Sequence, residues 1–229
     1  MARHCGDKLM EPCRLHSYYR SSCSWRVRLA LELKKIPYQV IPINLLKNEQ
    51  NSRDYLERNP SGTVPTLEID GLVLTQSLAI LEYLEEAFPG THSLLPSKPE
   101  EKAQVRRLCL IIVADCQPLQ NFNVQNKLMQ LYGQSRAQVQ QDWAAHFIQR
   151  GLEAFEKSAN SLSGRFSFGD RLTLADICLI PQLYNAKRFG IDVETRFPGL
   201  AAIEKAFYND FPEAFRSAHP ETQPDFIPE

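Results

Sequence analysis

No CxxC pair occurs in this chain, and no Cys/His pair stands at zinc-site spacing. A dithiol redox centre is therefore excluded, and no metal site is expected. Long apolar runs are missing too. The most apolar stretch, "LCLIIVAD" from Leu108, is broken by Asp115 and falls far short of the ~20 residues that a bilayer span needs. Nor does one sign of charge dominate. The 26 Lys and Arg against 27 Asp and Glu leave a net charge of −1, which draws the chain neither to nucleic acid nor to an anionic membrane. The opening "MARHCGDKLMEPC" has no apolar core of a secretory signal, so a cytoplasmic protein is expected. Arg3, Lys8 and Arg14 trace a faint transit-peptide pattern that Asp7 and Glu11 oppose, and a mitochondrial location stays open. The six cysteines lack framework spacing and read as reduced thiols, several of them small buried residues.

What is present divides into two textures. From Arg14 to Phe88 strand-like and helix-like segments alternate. "RLHSYY" reads as a strand and "SWRVRLALELKK" as a helix, with Val27, Ala30 and Leu31 on one face and Arg28, Glu32 and Lys35 elsewhere. On that helix Trp25 is expected to anchor packing and Arg28 to pair with Glu32 at i, i+4, while Arg26 is given no role. "YQVIPINL" is a strand that Pro42 confines to an edge or an end, and "SRDYLERN" is a short helix stopped by Asn59-Pro60-Ser61-Gly62. "TLEI", Asp70-Gly71 and "LVLT" make a hairpin, and "SLAILEYLEEAF" closes the unit as a helix. The order predicts an α/β domain over 14–91 with a mixed four-stranded sheet. After the proline-rich linker 89–99 only helical patterns appear, which predicts an all-α domain over 97–219. Within it "TLAD" (173–176) fits a capping box that makes Asp176 structural.

Three short motifs invite chemistry. "SSCSWRVR" (21–28) sets Ser21, Ser22, Cys23 and Ser24 at a helix start, where unpaired N–H groups and the positive end of the dipole stabilise an anion. For any one serine, simple capping is the commoner role. "TVPT" (63–66) puts Pro65 before a strand, either trans at the strand's first residue or cis, with the Val64 backbone turned to an open site. "QS" at Gln76 and Ser77 opens a further helix and reads alone as another cap.

Together these motifs resemble the glutathione transferase superfamily and, within it, the zeta class, the maleylacetoacetate isomerases. The likeness runs on through "PINLLKNEQ", "NPSGTVPTLEIDG", "QSLAILEYLEE", "QPLQN", "GDRLTLADICLIPQ" and "HPETQPD", and covers nearly all of the chain after residue 13. It implies a thioredoxin-like N-terminal domain that binds glutathione as cofactor, and an all-α C-terminal domain. By that likeness Ser21, Ser22 and Cys23 surround the glutathione sulfur, with Ser21 or Ser22 stabilising the thiolate. Val64 before Pro65 pairs through its backbone with the cysteinyl part. Gln76 and Ser77 hold the γ-glutamyl end, Gln50 reaches the glycyl end, and Gln117 and Asn121 face the site from the helical domain.

The implied reaction is cis–trans isomerisation of maleylacetoacetate to fumarylacetoacetate in tyrosine and phenylalanine breakdown, with ancillary transferase activity and glutathione returned unchanged. Arg20 and Arg188 are the cations implied for this small dicarboxylate substrate, and a homodimer is implied for the assembly. Alternative readings are a transferase or thiol reductase without isomerase activity, Cys23 being its nucleophile, and a non-catalytic interaction module on the same fold. Arg20 standing where a CxxC partner would be needed weighs against the reductase.

Overall fold

The computed structural model describes residues 13–228, which form two compact units. The first holds the chain up to Ser93 and again from Phe211; the second runs from Leu94 to Asp210.

In the first unit β1 (Cys13–Ser17), α1 (Ser22–Leu33), β2 (Tyr38–Pro42), α2 (Arg53–Leu56), β3 (Thr66–Ile69), β4 (Leu72–Thr75) and α3 (Ser77–Ala87) follow in the expected order. The sheet order is β2-β1-β3-β4. β1 runs parallel to β2 and antiparallel to β3, so the sheet is mixed. Pro42 ends the edge strand β2, where its missing N–H costs no ladder bond. The β3–β4 hairpin turns on Asp70 and Gly71, both at positive φ (50° and 77°), as a two-residue turn matched to strand twist requires.

The second unit contains α4 (Pro99–Leu110), α5 (Phe122–Tyr132), α6 (Arg136–Val139), α7 (Ala145–Ala159), α8 (Leu174–Arg188), α9 (Val193–Arg196) and α10 (Pro198–Asp210). α4 passes into a π-helical turn, Ile111–Cys116, and then a 3-10 turn, Gln117–Gln120. Gly151 of α7 meets that π turn closely: a Cβ there would lie 2.5 Å from the Cys116 Cβ. α8 is the core helix, and its capping box is present at Thr173 and Asp176. The buried Asp176 carboxylate accepts from the N–H of Ser167 and of Thr173, each at 2.8 Å, and from the Thr173 hydroxyl. Burial pushes this carboxyl up, while the same hydrogen bonds pull it down. Of the cysteines, Cys13, Cys109, Cys116 and Cys178 are buried and Cys23 is half-buried; Cys5 lies outside the described residues. Among the described residues no helix is long and apolar enough to cross a membrane, and no group of three His, Cys, Asp or Glu could hold a metal ion.

Two findings depart from the sequence reading. The helical domain expected over 97–219 ends as a unit at Asp210, and α11 (Pro212–Ala218) joins the first unit. There α11 and the turn after it cover α1: Trp25 packs against Phe215 and His219, ring centroids 6.1 and 5.2 Å away. Arg28, moreover, does not pair with Glu32. It is fully buried and donates from Nε to the Ala218 carbonyl (2.9 Å), from Nη1 to Ser17 Oγ (2.9 Å) and from Nη2 to the Tyr19 carbonyl (3.1 Å). Glu32 instead accepts from the Tyr38 hydroxyl. The periodicity had put Arg28 on the wetted face because it took α1 to be amphipathic, yet α1 is covered nearly all round. Burial lowers the Arg28 guanidinium to about 10.

Arg28→Met strands three buried acceptors and should destabilise the first unit by about 3 kcal/mol or more, whereas Glu32→Gln, which still accepts from Tyr38, should stay within ~1 kcal/mol. Urea unfolding monitored by circular dichroism checks this, and the reverse ranking would restore the Arg28–Glu32 pair.

Candidate active site

Strand register gathers the three motifs. Thr66, the first residue of β3, lies opposite His16 of β1 and opposite Thr75, the last residue of β4. His16 also pairs with Ile41 near the end of β2. The loops that leave β1 and β2, enter β3 and leave β4 therefore share one end of the sheet. Those loops carry Tyr18–Ser21, Ile43–Gln50, Thr63–Pro65 and Gln76.

At the first loop Ser21 is the N-cap of α1, its Oγ accepting from the Ser24 N–H at 3.1 Å. The cap uses one acceptor position of the hydroxyl and leaves its O–H able to donate. Ser22 is buried and Cys23 half-buried on the first turn. Tyr18 and Tyr19, just upstream, form one apolar cluster with Ile43, Tyr55 and Val64, so the approach to α1 packs directly onto the "TVPT" segment. The C-terminal segment adds to this hold, with Asp225 accepting from the Tyr19 N–H (2.9 Å) and Phe226 packing edge-on against the Tyr19 ring.

The Val64–Pro65 bond is cis, the second of the two readings open from sequence. Tyr55 and Asn59 secure its flanks. The Tyr55 hydroxyl donates to the Thr63 carbonyl (2.6 Å) and lies 2.9 Å from Thr66 Oγ1, and Asn59 Nδ2 reaches the same two oxygens at 2.7 and 3.2 Å. Burial pushes the Tyr55 phenol up, against hydrogen bonds to Thr66 and Asn59, which keeps it a neutral donor.

At α3 the simple capping reading does not hold. Gln76 occupies the cap position at φ 68° with no side-chain cap bond, an uncommon conformation for a residue with a Cβ. Ser77, the first residue of α3, is buried and accepts instead from Arg26 Nη1 at 3.2 Å. The same nitrogen lies 3.7 Å from Cys23 Sγ. Arg26 thus links the start of α1 to the start of α3. Sequence reasoning left it without a role, although its place three residues after Cys23 puts both on one helix face. Gln50 is buried with Nε2 on Asn48 Oδ1, and its Oε1 has no partner among the described residues.

Two family models match the chain, the N-terminal domain of glutathione S-transferase over residues 20–87 and its C-terminal domain over 138–206. A curated relative, maleylacetoacetate isomerase of Rattus norvegicus, is 45% identical over 213 residues, covering 92% of this chain and 94% of its own. Among solved structures, maleylacetoacetate isomerase from Anaeromyxobacter dehalogenans 2CP-1, with GSH bound in its active site, superposes with a TM-score of 0.82 at 43% identity, covering 94% of this chain and 98% of its own. Maleyl pyruvate isomerase, described as a bacterial zeta-class glutathione S-transferase, gives a TM-score of 0.88 at 36% identity over 93% of this chain and all of its own. The chain belongs to the glutathione S-transferase family.

The fold is that of the family, a mixed-sheet N-terminal domain with a helical C-terminal domain. Arg20, half-buried, rests its guanidinium 5.3 Å from the Tyr19 ring centroid, with Nη2 3.3 Å from the Tyr18 hydroxyl. Three remaining candidates belong to the second unit. Gln117 Nε2 donates to Asn121 Oδ1 at 2.6 Å, so those two act as one polar group. Arg188 is exposed at the end of α8.

Because Tyr55 and Asn59 share the Thr63 carbonyl, Tyr55→Phe alone should cost about 1–2 kcal/mol, and Tyr55→Phe with Asn59→Ala more than the sum of the two single losses. Denaturant titration of the four proteins measures it; strict additivity would mean that the two side chains do not cooperate on this segment.

Proposed function

We propose that the chain is a glutathione-dependent cis–trans isomerase of the zeta class, converting maleylacetoacetate to fumarylacetoacetate, with ancillary glutathione transferase activity. One observation carries the reading: the N-terminus of α1, with Ser21, Ser22 and Cys23 on its first turn, shares a sheet end with cis-Pro65 and Ser77. Relatives named for this reaction align over more than nine-tenths of the chain. The residues suit a glutathione cofactor, since Arg26 and Gln50 carry buried polar atoms that have no partner among the described residues at this end of the unit.

Bound there, glutathione supplies a sulfur nucleophile that is recovered at the end of each turnover. The chain's part is to hold and ionise it. A thiol with an ordinary pKa of about 8.5 is mostly protonated at neutral pH, and a hydroxyl donor at a helix N-terminus favours the anion. Ser21 has its O–H for that bond while its lone pair caps α1, and no hydrogen bond within the described residues occupies Ser22 Oγ. The Val64 backbone pairs with the cysteinyl peptide, Gln76 and Ser77 receive the γ-glutamyl end, and Gln50 the glycyl end. Gln117 and Asn121 serve from the helical unit, and Arg20 and Arg188 receive the two carboxylates of the substrate. The same reading carries a homodimer and a cytoplasmic location.

Isomerisation of maleylacetoacetate, assayed with and without glutathione, tests the proposal. Turnover should require glutathione. Ser21→Ala or Ser22→Ala should lower turnover about tenfold to a hundredfold through loss of a charge-assisted hydrogen bond. Ser21→Ala should also cost ~1 kcal/mol of stability, because it removes the cap. Cys23→Ala should retain most activity. Activity lost in Cys23→Ala and kept in both serine variants would move the chemistry to the cysteine, and glutathione-independent turnover would sink the reading.

A further inference from the structure

Two fully buried arginines stand two residues apart on α1, and they are used differently. Arg28 has each of Nε, Nη1 and Nη2 on an oxygen. Arg26 has only Nη1 engaged, on Ser77 Oγ and Cys23 Sγ, while its buried Nε and Nη2 have no partner and no carboxylate pairs with it among the described residues. An arginine present only to tie α1 to α3 would saturate its fork on protein oxygens, as Arg28 does. A buried cation without a counter-charge is costly and gains strongly from an anion brought beside it. Its surroundings add to the same sign, because the starts of α1 and α3 both present the positive end of a helix dipole.

We propose that Arg26 is a positioning residue of this site: it fixes the Ser77 hydroxyl at the start of α3 and supplies the charge that draws the ligand's γ-glutamyl carboxylate there. The inference rests on the glutathione-binding reading above. Arg26 acts through Ser77, whose oxygen accepts from the guanidinium and so turns its own O–H toward the incoming carboxylate. The fixed fork matters as well as the charge, since a lysine ammonium carries the charge without the planar geometry.

Calorimetric titration with glutathione and with S-methylglutathione, which has no thiol to ionise, separates this role from thiolate stabilisation. The proteins compared are wild type, Arg26→Lys, Arg26→Met, Ser77→Ala and the double variants that combine Ser77→Ala with each Arg26 change. Arg26→Met should weaken both ligands about tenfold or more, and Arg26→Lys should recover part of the loss. In the Ser77→Ala background the same changes should cost less than about threefold, because the two residues act on one carboxylate. If Arg26→Met does not fold, the Arg26→Lys cycle carries the test. Affinities within about twofold of wild type in the Arg26 variants, or a loss undiminished in the Ser77→Ala background, would overturn the inference while leaving the functional reading intact. Failure of wild type to bind glutathione at millimolar concentration would sink the functional reading itself.

Discussion

Thr66 faces His16 on one side and Thr75 on the other, and that pairing decides which loops can meet. A strand alternates faces at every residue, so a one-residue slip of β3 would turn the buried Leu67 and Ile69 outward. It would also carry Pro65 away from the approach to α1. With the register set, β1 delivers the chain into α1 and β4 delivers it into α3 at the same end of the sheet. Two helix N-termini and a backbone segment with its peptide groups turned by a cis bond then lie together. An acidic tripeptide with a thiol suits such a place, since each of its anionic groups can find N–H donors or a hydroxyl there.

Buried polar groups hold this end of the unit together alongside the apolar cluster of Tyr18, Tyr19, Ile43, Tyr55 and Val64. Arg28 joins β1, the Tyr19 peptide and the end of α11, while Asp225 takes the Tyr19 N–H. Tyr55 and Asn59 fix Thr63 and Thr66. Each such group is expensive to strand, so the loops occupy one arrangement instead of several. Residues 190 or more positions apart thereby shape the approach to α1, and the C-terminal segment belongs to the same unit as the first strand and helix.

Much of this was legible in the sequence, and the parts that were not share a cause. Alternation, turn chemistry at Asp70-Gly71 and the capping box at Thr173 are local signals, and the elements they mark form as expected. The "SSCSWRVR", "VPT" and "QS" motifs were recognisable because each needs specific residues at a helix start or before a strand. Burial of α1 on nearly every side was not local. The cover that α11 gives comes from the far end of the chain, so Arg28 read as a surface residue and Arg26 received no role. The 3.6-residue period locates a face only when a helix has one wet side, and α1 has hardly any. Ser21 is the ordinary cap, and because a hydroxyl can accept and donate together its O–H stays available as a donor.

The central claim is that the first turn of α1 ionises a bound thiol. The ultraviolet absorbance of the thiolate, followed against pH in the Cys23→Ala protein as the difference between the glutathione-bound and glutathione-free forms, so that the five remaining cysteines cancel, measures it directly. The account predicts that the bound thiol titrates well below its free value of about 8.5, and that this depression shrinks in Ser21→Ala or Ser22→Ala. A bound thiol that titrates at its free value in the protein with both serines intact would contradict it.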